Sequence, residues 1–306
     1  MNEKGLINLK SIVLFAVILF TSLGGTAMAF KNEVVKIKNL ALEHYLSEKE
    51  IKDKRILFVH SSGHGSWMWK NFLSYFAKRG YDSWALNLRG HHLSDPVDDW
   101  ENVGVSEYLE DIAKAVDRVG GDVVLVGHSM TGLLILKYAE SHRVAGLIVS
   151  QSGLPRSLMQ EKGIEIKSPM PGKGKREIKS GAIMPMKDRA LVEKMLFDKD
   201  NVEKESVDLV LKMLGEESAK VGGEIMQMEL VPEKISSPLY VLGFDANKIG
   251  IKMPVDLNKV LAEELKARDY KVIEPGGHDY MLEKNWERFA QQFKVWIHSL
   301  EGAGVE

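Results

Sequence analysis

Short apolar runs of strand length alternate along most of this chain with stretches whose apolar residues recur at helical spacing. Arg55 to Val59, Tyr81 to Leu88, Asp122 to Gly127, Val144 to Ser150 and Pro238 to Leu242 read as strands. Trp67 to Arg79, Glu107 to Val119, Met130 to Ser141 and Asp256 to Arg268 read as helices between or after them. Such alternation predicts an α/β fold with a mostly parallel sheet covered by helices on both faces. At the start, Val34 to Ile37 and Leu40 to Tyr45 predict a pair of strands, and at the end Lys271 to Ile273 predicts a last strand before a helix over Asn285 to Leu300.

One of these junctions has chemical content. Asp122 to Gly132 reads DVVLVGHSMTG, a strand, a sharp turn bearing Ser129, and an apolar helix. A serine alcohol is a weak nucleophile that must stand clear of its backbone, meet a base and lie beside N–H groups able to hold an oxyanion. A tight strand-to-helix turn does this, and small residues flank the serine because larger ones would collide with the facing backbone. Gly127 occupies the first small position, whereas Thr131 holds the second and glycine follows only at Gly132. The stretch by itself leaves two readings open, a nucleophile and an ordinary serine N-cap.

The chain has 306 residues, a hydrophobic content of 44% and a formal net charge of -2. That is enough apolar material for one large core, and the charge gives no global pull toward nucleic acid or an anionic membrane. The absence of cysteine excludes disulfides, thiolate metal sites and a cysteine nucleophile, and fits either redox compartment. Lys4 and Lys10 precede an apolar run from Ile12 to Leu23, and Ala27 and Ala29 supply the small residues of a cleavage site. This pattern predicts a signal peptide over residues 1–29, with the mature chain starting at Phe30 and secreted or periplasmic; the run is short for a bilayer span, which makes an uncleaved membrane anchor the lesser alternative.

Two loops carry candidate polar groups. His60-Ser61-Ser62-Gly63-His64-Gly65 follows the strand ending at Val59, and its N–H groups could face a developing negative charge or merely join strand to helix. His91 and His92 are adjacent, but no ligand-spaced carboxylate or third histidine stands nearby, so the pattern argues against a metal. From 153 to 235 the strand and helix alternation stops. Ser168 to Lys187 reads as a long loop, while Arg189 to Phe197, Val207 to Leu214 and Glu217 to Met228 read as helices. An insertion here predicts a helical lid over the sheet end that would expose Ser129. The expected division is therefore 1–29 signal peptide, 30–152 first part of the core, 153–235 lid, and 236–306 second part of the core.

After the insertion, Pro238 to Leu242 leads into Gly243-Phe244-Asp245-Ala246-Asn247, and the last strand ends in Pro275-Gly276-Gly277-His278-Asp279. A histidine after a Gly-Gly turn can reach over a sheet edge because nothing on that backbone blocks it. The chain order is serine, acidic residue, histidine, as described for α/β-hydrolases. The blocks FVHSSGHGSWMW, LNLRGHHLSDP, VLVGHSMTG, SSPLYVLG and EPGGHDYMLEKNW resemble, in order and separation, that superfamily. Their similarity is greatest to its branch of methylesterases, hydroxynitrile lyases and bacterial esterases.

The resemblance implies Ser129 as nucleophile, His278 as its base, and the amides of Ser62 and Met130 as oxyanion donors. It departs from the family where Ser61, His92 and Thr131 replace glycine. The usual acid position falls on Asn247, while Asp245 lies two residues earlier; Asp245 is the expected acid, with Asn247 the alternative, and Asp279 is read as structural. The implied function is a serine hydrolase of small-molecule carboxylic esters acting through an acyl-enzyme, without cofactor or metal. Lipid hydrolysis, non-ester hydrolase or lyase chemistry on the same triad, and a degenerate hydrolase acting as a binding protein are the alternatives.

Overall fold

The computed structural model describes residues 30–48, 52–165, 177–245 and 255–300. The signal-peptide reading, Asn247 and residues 168–176 of the stretch read as a long loop lie outside them. Among the described residues no helix is long and apolar enough to cross a membrane.

The chain opens with a hairpin, β1 (Phe30–Ile37) and β2 (Leu40–Ser47), followed by β3 (Lys54–Val59), α1 (Lys70–Ala77), β4 (Asp82–Asn87), α2 (Val105–Val119), β5 (Asp122–His128), α3 (Met130–Ala139) and β6 (Gly146–Ser150). The helix expected from Trp67 begins later, because Ser66–Trp69 forms a single 3-10 turn first. A long segment then intervenes: α4 (Arg156–Glu161), β7 (Ile178–Lys179), β8 (Ala182–Ile183), α5 (Arg189–Leu196), α6 (Lys204–Met213), β9 (Glu217–Ser218) and α7 (Ala219–Met226). The sheet resumes with β10 (Leu239–Gly243), α8 (Leu257–Glu264), β11 (Asp269–Val272) and α9 (Trp286–His298).

The main sheet has eight strands in the order β1-β2-β4-β3-β5-β6-β10-β11. The pairs made by β2 with β1 and β4 are antiparallel and the rest are parallel. This is the α/β-hydrolase arrangement of a mostly parallel sheet with helices on both faces. Alternate residues of a strand point to opposite faces, and the central strands feed two cores accordingly. Leu57, Val59, Val123, Leu125, Leu147 and Val149 pack on the face of α2, α3 and α8. Ile56, Phe58, Val124, Val126 and Ile148 pack on the face of α1 and α9. Burial on both faces is why these strands read as unbroken apolar runs.

Two sequence readings of the intervening segment need correction. The helix expected from Glu217 starts at Ala219, since Glu217 and Ser218 are extended and pair with β8. The Ser218 hydroxyl accepts from Val221 N at 3.1 Å, so serine acts here as the N-cap and sets the boundary. The stretch read as loop contains the β7–β8 hairpin, whose turn residues Ser180 and Gly181 both have positive φ, 49° and 75°. That is a tight two-residue hairpin turn.

Candidate functional site

Parallel pairing fixes where the strands end. Val59 lies opposite Gly127, His128 opposite Ser150, Ser150 opposite Leu242, and Gly243 opposite Val272. The loops holding Ser62, Ser129, Gln151, Asp245 and His278 therefore leave one edge of the sheet together, the carboxyl-end crevice where open α/β sheets bind ligands.

Ser129 sits at φ 55° and ψ −121° between β5 and α3, a backbone conformation that a side chain rarely adopts. Its amide donates to Ser150 O at 2.8 Å and its carbonyl accepts from Ser152 Oγ at 2.8 Å, which holds the strained residue from both sides. The spacing of small residues follows from contact. A Cβ at Gly127 would come within 2.5 Å of Thr131 O, and one at Gly132 within 2.7 Å of the Ser152 side chain. The threonine found in place of glycine is accommodated because its hydroxyl accepts from His128 N at 3.0 Å and lies 3.1 Å from Val59 O. Met130 opens α3, so its amide is among those without an intrahelical partner.

The 60–65 loop is pinned by histidines. His60 accepts from Leu88 N through Nε2, so its Nδ1–H donates to Ser61 O at 2.8 Å. Burial, with the nearby His91, keeps this ring neutral by holding its pKa well below 6.5. Ser61 O also accepts from His64 N at 3.1 Å. Across a planar trans peptide the N–H points opposite the C=O, so the Ser62 amide is turned away from these partners. Ser61 stands in the family's glycine position without positive φ, whereas His92 adopts a φ of 45°.

His64 donates through Nδ1 to Ser62 O at 2.8 Å and through Nε2 to Asp279 Oδ2 at 3.0 Å. With an acceptor facing each ring nitrogen, the surroundings favour the imidazolium. Burial opposes this charge, but Asp279 outweighs it and raises the pKa.

His278 follows β11 and lies against His128, ring centroids 4.6 Å apart, and Phe244. Burial lowers its pKa below 6.5, with Asp279 pulling it up and His64 pushing it down. Its loop is anchored through Glu283, which accepts from Gly277 N at 3.0 Å and from Asp198 N at 2.6 Å. Gln151 Nε2 adds a bond to Gly277 O at 3.2 Å. Asp245, the expected acid, is exposed, and among the described residues the buried Nδ1 of His278 has no hydrogen-bond partner. Asp279 is fully buried and holds His64.

A second buried carboxylate was not singled out in the sequence. Glu217, on β9, accepts from Gly63 N at 3.0 Å, from Tyr108 Oη at 2.5 Å and from Ser218 N at 2.8 Å. His91 Nε2 is 3.4 Å away, close enough for charge attraction though poorly aligned for a hydrogen bond. Burial alone would raise the Glu217 pKa, but the His91 charge and these donors bring it down to about 2. Apart from the adjoining Ser218 amide nothing local marks Glu217: Tyr108 and Gly63 lie 109 and 154 residues away.

Ser129, His278, Ser62, Asp245 and Glu217 line one cavity of about 690 Å³, whose other walls include Leu133, Leu154, Met159, Met195 and Leu196. Its size and apolar walls suit a small organic molecule. Among the described residues no cluster of side chains is arranged to hold a metal ion.

Comparisons with known proteins agree with this architecture. The profile of the "Alpha/beta hydrolase family" matches residues 56–292. Over 109 residues the chain is 28% identical to "Epoxide hydrolase 1" of Caenorhabditis elegans, a match covering 35% of this chain and 26% of that protein. Tomato methylketone synthase I complexed with 2-tridecanone superposes with a TM-score of 0.65 and 17% identity, over 82% of this chain and 100% of that one. A thermophilic esterase from Thermogutta terrifontis gives 0.62 and 19%, over 89% and 99%. A methylesterase from Arabidopsis gives 0.61 and 16%, over 80% and 98%. At such identities the solved structures bear on the fold alone. The chain belongs to the alpha/beta hydrolase family.

Proposed function

We propose that the protein is a serine hydrolase that cleaves carboxylic esters through an acyl-enzyme, with Ser129 as nucleophile and His278 as base. The observation that carries the reading is Ser129, held in a strained conformation at the head of a buried helix and facing the same cavity as His278. Ser129 Oγ attacks the acyl carbon while His278 takes its proton. The oxyanion forms against the amides of Met130 and Ser62, and His278 returns the proton to the leaving alcohol. Water, activated by the same imidazole, then releases the acid. No cofactor takes part. The apolar walls favour an aliphatic acyl chain, and the 1–29 pattern supports export of the chain.

The test is hydrolysis of a chain-length series of p-nitrophenyl esters by the chain from Phe30 onward, beside Ser129→Ala and His278→Ala. Each substitution is expected to reduce kcat by at least about 10³-fold. Undiminished turnover in Ser129→Ala would refute the mechanism. The unpartnered His278 Nδ1 favours one second reading, a degenerate hydrolase that binds rather than cleaves. A parent chain that no fluorophosphonate labels would decide for it.

A further inference from the structure

We propose that Glu217, on the segment between β6 and β10, is a positioning residue for the oxyanion loop, so that the seating of that segment sets the direction of the Ser62 amide. The inference rests on the assignment of Ser62 as an oxyanion donor. It starts from Gly63, whose φ of +68° puts it in a conformation open to glycine and whose neighbours could otherwise rotate about it. Both polar groups of Gly63 are bound by the segment: its N–H by Glu217 Oε2 at 3.0 Å, and its carbonyl by Gly215 N at 2.8 Å. The peptide plane joining Ser62 to Gly63 is thereby held at two ends, by His64 Nδ1 on the Ser62 carbonyl and by Glu217 on the Gly63 amide. The preceding plane, which carries the Ser62 N–H, is held at the Ser61 carbonyl by His60 Nδ1 and His64 N; with the planes on both sides held, the rotation at Ser62, and with it the direction of its N–H, is fixed.

The carboxylate is itself overdetermined. Tyr108 reaches it from α2, Ser218 from its own strand, and His91 from the loop after β4. Neighbouring contacts dock the same stretch on the body: Trp100 Nε1 donates to Glu216 Oε2 at 3.0 Å, and Ser218 Oγ donates to Val103 O at 2.5 Å. Every group around Glu217 is a donor, so the position requires an acceptor-only side chain. Glutamine has the same shape but would turn an NH₂ group against at least one of those donors. Its oxygen can stay on Gly63 only with the NH₂ group turned against Ser218 N–H, so either placement disturbs the clamp, whereas a role limited to filling space would tolerate glutamine.

The experiment compares the parent with Glu217→Gln and the milder Tyr108→Phe, each checked for cooperative thermal unfolding. Hydrogen exchange at the Gly63 amide is read by NMR. Ester kinetics and binding of an alkyl boronic acid, which engages serine and oxyanion hole, are compared with binding of a neutral alkyl amide. In Glu217→Gln we expect faster Gly63 exchange, kcat and boronate affinity lower by about 10²-fold, and KM and amide affinity within about threefold. Tyr108→Phe is expected to move the same readouts less. Unchanged Gly63 exchange overturns the clamp. Faster exchange with unaltered kcat, or a rise in KM alone, overturns the positioning role. If Ser129→Ala keeps full turnover or the parent is inert, the ester reading falls and the positioning role with it, while Gly63 exchange still decides whether the clamp exists.

Discussion

Ser129 keeps its strained backbone because the residues around it leave it no other course. The α3 turn passes so close to β5 that Gly127 has no room for a methyl group, with Thr131 O 2.5 Å from where its Cβ would stand. Gly127→Ala must push the turn apart, at a cost of about 1–3 kcal/mol, and is expected to lower both the unfolding midpoint and kcat. Equal activity and stability would show that the turn is softer than its contacts imply. The histidine at this site has its own signature. Only neutral His278 can act as base, and burial lowers its pKa, so the acid limb of kcat/KM is expected below pH 6.5. The charged groups facing it are Asp279, which raises its pKa, and His64, which lowers it; His128 is held neutral by burial, with its pKa well below 6.5. Asp279→Asn removes the carboxylate that favours the imidazolium and, with it, the partner that keeps His64 charged; the attraction of Asp279 is the larger of these two opposed effects on His278, so the limb should move to lower pH, by less than the loss of Asp279 alone would give. A limb that moves upward would exclude Asp279 as the dominant charge on the base.

At the scale of elements, the loops after the strands matter more than the strands. The turn carrying His278 is tied to the 196–198 stretch by Asp279 N donating to Leu196 O at 2.6 Å and by Glu283, which is only 2% exposed. Glu283→Ala would leave the amides of Gly277 and Asp198 and the side chain of Asn201 without this acceptor. Stranding buried donors costs about 1–3 kcal/mol each. We expect a lower urea midpoint together with a lower kcat, because the turn then holds its histidine less firmly; loss of stability with kcat intact would separate the two. The same distinction explains what the sequence disclosed. Strands such as Val123 to Gly127 were legible because burial on both faces leaves only apolar side chains, and the meeting of Ser129, Ser62 and His278 at one cavity because they sit in short loops at strand ends. Glu217 was not: it lies in a stretch whose apolar spacing mimics the first turn of a helix, and its role depends on Gly63, Tyr108 and His91, brought to it only by the completed fold. The local sequence gives Asp279 a structural place beside its histidine, and nothing in it announces the contact with His64, 215 residues away.

For the molecule as a whole, the buried ionic groups make stability depend on pH in a direction that can be worked out. Glu217 has a pKa near 2 in the folded chain against an ordinary 4.5. A depressed carboxyl stabilises the fold fully above its unfolded value, and that contribution is lost as pH falls through the folded value. His91, raised by Glu217 against the opposing effect of burial, works the other way. Its contribution is complete below 6.5 and disappears as pH rises through the folded value. The pair should therefore stabilise the protein most between about pH 5 and 6.5. Measured as the difference in urea unfolding free energy between the parent and Glu217→Gln, the advantage should be greatest in that window. It should shrink as pH falls from 4.5 toward 2, where the unfolded carboxyl takes up its proton and the folded one still resists it, and again at high pH, where His91 loses its charge. His128 and His278, held neutral by burial, oppose folding as pH drops below 6.5 in both proteins and cancel in the difference, whereas His60 and His64 also feel the Glu217 charge, which raises both, and add to the difference with the same sign as His91. A difference that is flat across the range would mean that Glu217 is not the charged centre of the contact between β9 and the 60–65 loop. One that peaks in the window would tie the stability of that contact to the same carboxylate that holds Gly63.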